Sequence, residues 1–62
     1  MIVVEYDSPV LGSGEFWRGD ETKIVEIRSI PARRLAEQVR KDGKTRTDGM
    51  WTVRREGEDE RD

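Results

Sequence analysis

The sequence predicts a small single domain of the α+β class, in which one helix packs on one face of an antiparallel or mixed sheet of three to four short strands. Apolar residues alternate with period two near both ends of the chain, as in half-buried strands. Between these segments, apolar residues at spacings of three and four predict an amphipathic helix. The predicted order is strand, short strand or loop, strand, helix, strand. This domain spans residues 1–55, and residues 56–62 form a disordered acidic tail.

The first predicted strand covers residues 2–7. Ile2, Val4 and Tyr6 fall on one face of it, and Val3 and Glu5 fall on the other. Val, Ile and Tyr all favour the pleated surface of a sheet. The alternation therefore predicts a strand with one face toward a core.

A loop or wide turn is predicted after this strand. Pro9 disfavours helix in the residue before it, and the Gly-Ser-Gly triplet at residues 12–14 relaxes the backbone. The aromatic segment at residues 15–18 then lies between two glycines. It fits either a brief hairpin strand or the tip of a presented loop, and the pattern leaves both open.

Residues 22–29 predict a further strand, because apolar and charged residues are interspersed there. In this interpretation Val25 and Ile27 face the core, and Lys23 lies on the same side at the solvated end of the strand. The sequence therefore places a strand immediately before the helix.

A helix of about three turns follows, capped by Ser29 or Ile30 and entered through Pro31, whose fixed φ suits a first turn. The stripe expected to face the sheet comprises Ala32, Leu35, Ala36 and Val39. Basic residues in the last turn complement the helix dipole, and Gly43 can adopt the left-handed conformation that ends a helix.

The last predicted strand begins after a turn at Asp48-Gly49, a dipeptide typical of tight hairpins. Residues 50–55 resume the alternation, with Trp51 and Val53 on one face and polar residues on the other. The chain therefore returns to the sheet after the helix.

Charge is unevenly distributed along the chain. Residues 1–55 contain 11 of the 12 Lys and Arg residues but 9 of the 14 Asp and Glu residues. The tail after them has no apolar residue and cannot bury enough surface to offset the entropy of ordering. We hypothesise that this acidic tail folds over basic residues of the domain and competes with anionic partners.

The composition of this chain argues against most kinds of catalytic chemistry. It contains no histidine and no cysteine, so it offers no Ser-His pair, no thiolate nucleophile, no soft zinc site and no disulfide. Gly12 and Gly14 lack the rest of a nucleotide-binding loop. We expect no enzyme activity, no cofactor and no metal, and, without a signal peptide or membrane span, a cytoplasmic location.

Phe16 and Trp17 are the first candidate contacts, together with Arg18 beside them. Aromatic anchors on adaptable loops supply much of the binding energy at protein interfaces. The alternative is that a thin core requires these rings, since only 32% of the residues are hydrophobic. Both interpretations hold if one ring packs inward while its neighbour points outward.

The second candidate surface is the outer face of the helix and the loop after it. Its basic residues are Arg33, Arg34, Arg40, Lys41, Lys44 and Arg46. Such a patch could meet phosphates or an acidic protein, or it could be a solvated helix face. A predicted pI of about 5.1 argues against a chain committed to nucleic acid.

These features predict a non-enzymatic interaction module that binds a larger protein and modulates or inhibits it. In size and composition alone the chain resembles accessory proteins of phages and mobile elements that act on host machinery. The alternative is a nucleic-acid-associated regulator that uses the basic helix face. An unpaired sheet edge could also pair with a second copy to form a homodimer, unless the charged residues near the strands discourage such pairing.

Overall fold

The computed structural model describes residues 1–56, which form a four-stranded antiparallel sheet covered on one face by a helix. The strands are β1 (Ile2–Ser8), β2 (Gly12–Gly19), β3 (Arg46–Asp48) and β4 (Trp51–Arg55), and the helix is α1 (Ile30–Asp42). The spatial order is β2-β1-β4-β3, so β1 and β4 are central. The α+β class and the single helix on one face of the sheet are confirmed.

The core lies between α1 and one face of the sheet. It consists of Ile2, Val4, Ile24, Ile27, Ala32, Leu35, Ala36, Val39 and Val53, with Trp17 and Trp51 packed against it. Within residues 1–56 no polar or charged residue is buried. The hydrophobic effect of about ten small side chains therefore carries the fold.

The helix confirms its sequence signals. Ser29 is the N-cap, and its hydroxyl accepts a hydrogen bond from the backbone N–H of Ala32 at 3.4 Å. Proline occupies the first turn, and Gly43 ends the helix in the left-handed conformation with φ of 73°. The predicted apolar stripe is buried along its whole length. Local capping and helical periodicity were sufficient to place this element.

The prediction of a strand at residues 22–29 is wrong, because Glu21–Glu26 form a 3₁₀ helix. Asp20 caps it by accepting a hydrogen bond from the Thr22 backbone N–H at 3.0 Å. A 3₁₀ helix repeats every three residues, so Ile24 and Ile27 point to the core while Val25 is 68% exposed. A short apolar run is compatible with a spacing of two or of three residues, and in this chain packing against the core favours the spacing of three.

The hairpins also differ from the predicted ones. The Gly-Ser-Gly triplet, predicted as a loop, belongs to β2, so the aromatic segment is part of an eight-residue strand. The predicted polar stretch contains the short strand β3, which ends at Asp48 and pairs with β4. The turn between them is Gly49-Met50, one residue beyond the predicted Asp48-Gly49. The tail at residues 57–62 lies outside the described residues.

Candidate interaction surface

Every aromatic residue of the chain lies on the face of the sheet that α1 covers. Trp17 pairs with Val4, and Trp51 pairs with Tyr6, which lies two residues after Val4 on the same strand. The rings therefore lie on the same face of the sheet as the buried Val4. Side chains of directly paired residues project from the same face of an antiparallel sheet. The aromatic residues therefore extend the apolar face beyond the small core side chains.

A β-bulge places Phe16 on this same face. The register of β2 against β1 shifts between Val4 and Glu5, so that Val4 pairs with Trp17 and Glu5 pairs with Glu15. Phe16 is the extra residue, and a bulge redirects the side chain it carries. Its ring meets Trp51 edge to face, with centroids 4.8 Å apart. Phe16 remains 43% exposed.

Trp17 has a different role from its neighbour. It is half-buried and packs against the core. Its ring also lies over Gly19, where an added Cβ would be only 2.8 Å from the indole. Any side chain at position 19 would displace the ring, so the glycine maintains the position of Trp17. One ring of the pair thus packs inward and the other faces solvent.

The opposite face of the sheet, which we call the open face, is not covered by any helix of residues 1–56. Val3 lies on it and is nonetheless 0% exposed. Its paired neighbours are Arg18 on β2 and Arg54 on β4. Long arginine side chains cover apolar surface with their methylene stems while their guanidinium groups stay in water. The pairing therefore places both arginines beside Val3 on the open face, where their stems can shield it.

Ion pairs fix both arginines in that position. Arg18 donates to Glu15 at 3.0 Å and to Glu56 at 2.5 Å, while Arg54 lies 3.3 Å from Glu5 and 3.6 Å from Glu56. Glu56 thus bridges the two arginines. Its backbone N–H also donates to the Met1 carbonyl at 2.9 Å, so the residue assigned to the tail is bound to the sheet.

The pairs also shift ionisation equilibria. The hydrogen bond from Arg18 lowers the pKa of the Glu15 carboxyl below its ordinary value, and the same bond raises the pKa of Arg18. The hydrogen bond to Glu5 likewise raises the pKa of Arg54. Both arginines therefore stay charged and paired, and Arg18 is engaged with the chain's own carboxylates.

The basic face of α1 is arranged around one acidic residue. Glu37 lies three or four positions from four cations, namely Arg33, Arg34, Arg40 and Lys41. Arg34, Arg40 and Lys41 are exposed and make no ion pair within residues 1–56. This surface retains a local positive charge despite the acidic overall composition.

Two of the three remaining predicted cations are engaged within the domain. Arg33 is half-buried, and its guanidinium donates to the Val25 carbonyl at 3.4 Å. Arg46 forms an ion pair with Asp42 at the end of α1, whereas Lys44 is exposed beside them. The hydrogen bond from the Lys44 backbone N–H is the main cause of the lowered pKa of Asp42. The Arg46 side chain and the Lys44 backbone therefore close the helix end, while the Lys44 side chain stays exposed.

The tip of the β1–β2 hairpin carries the most exposed large apolar side chains of the described chain, and sequence reasoning missed it. Val10 is 87% exposed and Leu11 is 74% exposed. The available signal was that both are large apolar residues outside any periodic segment, directly after a Ser-Pro turn sequence.

Comparisons of the chain with protein-family models, curated proteins and solved structures found no match. Among residues 1–56, no helix has the length and apolarity that crossing a membrane requires. Nor does that part of the chain bring three or more acidic side chains together as a metal site would need.

Proposed function

We propose that this protein is a non-enzymatic interaction module that binds a larger protein and modulates it through the β1–β2 hairpin. The observation that carries the proposal is the 43% exposure of Phe16, a ring already braced edge to face by Trp51. Aromatic residues dominate the energy of many interfaces because they bury a large area at a small cost in side-chain entropy.

Two further observations support this surface. Trp17 is packed against the core beside Phe16, so the segment that carries the exposed ring is anchored. A pre-organised contact loses little conformational entropy on binding. In addition, Phe16 lies at a bulge of an edge strand, a position at which proteins often redirect a functional side chain.

The test is affinity capture from lysate of the source cells, with Phe16→Ala compared with Val25→Ala. Both variants remove an exposed apolar side chain, but only the first lies on the hairpin. We expect a stoichiometric protein partner that survives nuclease treatment, is lost with Phe16→Ala and is retained with Val25→Ala. Equal capture by both variants would contradict the proposal.

The second candidate function is association with nucleic acid through the basic face of α1. The three exposed, unpaired cations around Glu37 within the described chain favour it. Binding of this kind weakens steeply as salt is added, because neutralised phosphates release counterions. Arg34→Glu with Lys41→Glu would then abolish binding, whereas Phe16→Ala would leave it unchanged. Capture that disappears with nuclease would favour this function over the first.

A further inference from the structure

We infer that the tip of the β1–β2 hairpin inserts Val10 and Leu11 into an apolar pocket of the partner protein, and that basic residues rim this pocket. The inference rests on the proposed function, since it names the chemistry of the partner surface. It adds a contact that Phe16 does not provide, at the end of the same hairpin.

The hairpin tip exposes two consecutive apolar side chains. Val10 and Leu11 are 87% and 74% exposed, and neither belongs to the apolar core. Single exposed apolar residues are common on protein surfaces, but two large ones in succession at a hairpin tip are not needed for folding. Their side chains therefore contribute little to stability and remain available for contact.

Hydrogen bonds and restricted backbone angles pre-organise the tip. The Ser8 hydroxyl accepts hydrogen bonds from the backbone N–H groups of both Val10 and Leu11, each at 3.1 Å. Pro9, which lies between Ser8 and Val10, has its φ fixed by its ring. Gly12 closes the turn with φ of 88°, a value that L side chains rarely adopt. The turn thus presents both side chains on an ordered backbone, so binding requires little further loss of backbone entropy.

A carboxylate that is unpaired within the described residues lies near the tip. The hairpin carries three carboxylates, of which Glu5 pairs with Arg54 and Glu15 pairs with Arg18, leaving Asp7. Glu5 and Glu15 are direct cross-strand neighbours, and Asp7 lies beyond them toward the tip. Asp7 is exposed and has no ion pair within residues 1–56. An apolar tip beside the carboxylate of Asp7, with no lysine or arginine among residues 1–17, is complementary to an apolar pocket with a basic rim.

The contact is tested by site-specific photo-crosslinking of the full chain in its source cells. A benzophenone amino acid replaces Leu11 in one variant and the exposed Gln38 of α1 in the control. We expect a discrete protein adduct from position 11 alone. The crosslinked peptide of the partner, mapped by mass spectrometry, should combine apolar residues with nearby lysine or arginine.

Affinity for the crosslinked protein provides the second measurement. Val10→Ser with Leu11→Ser should weaken binding about tenfold or more without changing the melting temperature. Asp7→Lys should weaken binding at low salt and lose this effect at high salt. Val25→Ser, which removes an exposed apolar residue elsewhere, is the matched control and should bind normally.

Several outcomes would overturn the inference. Adducts with only a second copy of the chain or with nucleic acid would do so, as would a contacted peptide that is acidic or polar. If Phe16→Ala abolishes binding while the Val10 and Leu11 serine variant binds normally, the tip inference fails and the proposed function stands. If neither variant changes binding, both fail.

Discussion

Val3 and Val4 are adjacent residues of one strand, and both are fully buried, but opposite faces of the sheet bury them in different ways. Val4 lies beneath α1 in a core made of apolar side chains. Val3 lies between Arg18 and Arg54, its cross-strand neighbours, and both arginines form ion pairs with carboxylates. The helix side therefore depends on packing, whereas the open face depends on amphipathic side chains and on charge.

This difference has a physical consequence. Close-packed apolar contacts respond to lost volume, because surrounding side chains cannot collapse into a cavity without strain. Flexible arginine stems can close over a smaller side chain, and exposed ion pairs weaken with salt and acid. Each face should therefore respond to its own kind of perturbation.

The largest effect is expected from Ile27→Ala on the helix side. Ile27 is 1% exposed in the core, so truncation should lower the free energy of unfolding by about 3 kcal/mol. Val25→Ala should lower it by less than about 0.5 kcal/mol, because exposed substitutions cost little. Urea denaturation monitored by tryptophan fluorescence measures both. Equal losses would contradict the 3₁₀ helix and restore the strand predicted there.

The direct comparison of the faces is Val4→Ala with Val3→Ala. Both remove the same two methyl groups, worth about 1.6 kcal/mol of transfer free energy before any cavity term. We expect Val4→Ala to exceed this, at about 2 to 3 kcal/mol, since the helix cannot close the gap. Val3→Ala should cost about 1 kcal/mol. If Val3→Ala costs as much as Val4→Ala, the arginine cover is as rigid as the core.

The cover itself is tested by Arg54→Ala against Arg54→Met. Alanine removes both the stem over Val3 and the charge, and should lower the free energy of unfolding by about 1 kcal/mol. Methionine retains an apolar stem without the charge. It should recover more than half of the loss, measured by the same urea denaturation. No recovery would mean that the ion pairs, rather than the stem, stabilise this face.

The smallest expected effect is the dependence of stability on pH that Glu15 contributes. Its pKa in the folded chain is lowered from the ordinary value of 4.5, chiefly by the hydrogen bond from Arg18. The unfolded chain therefore takes up the proton first as the pH falls. The stabilisation is complete well above pH 4.5 and is lost as the pH falls through the lowered pKa.

Urea denaturation at pH 7 and pH 3 measures this contribution. Glu15→Gln should lose less stability between the two pH values than the parent chain does. Part of the loss should remain in this variant, because hydrogen bonds also lower the pKa values of Asp20 and Asp42. Val4→Ala should keep the pH dependence of the parent chain. An unchanged dependence in Glu15→Gln would remove the ion pair as its source.

The sequence by itself determined the elements whose signals are local. The apolar stripe of α1 and the terminating Gly43 are as predicted, Ser29 is one of the two predicted caps, and the hairpin turn lies one residue beyond the predicted one. Each depends on backbone geometry within about one helical turn or one hairpin, so neighbouring residues suffice to specify it. The alternation in β1 and β4 likewise depends only on the pleat.

Tertiary structure decided the features that depend on distant partners. Ile24 and Ile27 face the core with a spacing of three residues, although the spacing of two between Val25 and Ile27 also fits a strand. The bulge at Phe16 depends on how β2 pairs with β1. Glu56 joins Arg18 and Arg54 only because β1, the shared neighbour of β2 and β4, brings these arginines onto one face. Short-range patterns do not encode such pairings, because their free energy appears only when strands far apart in sequence meet.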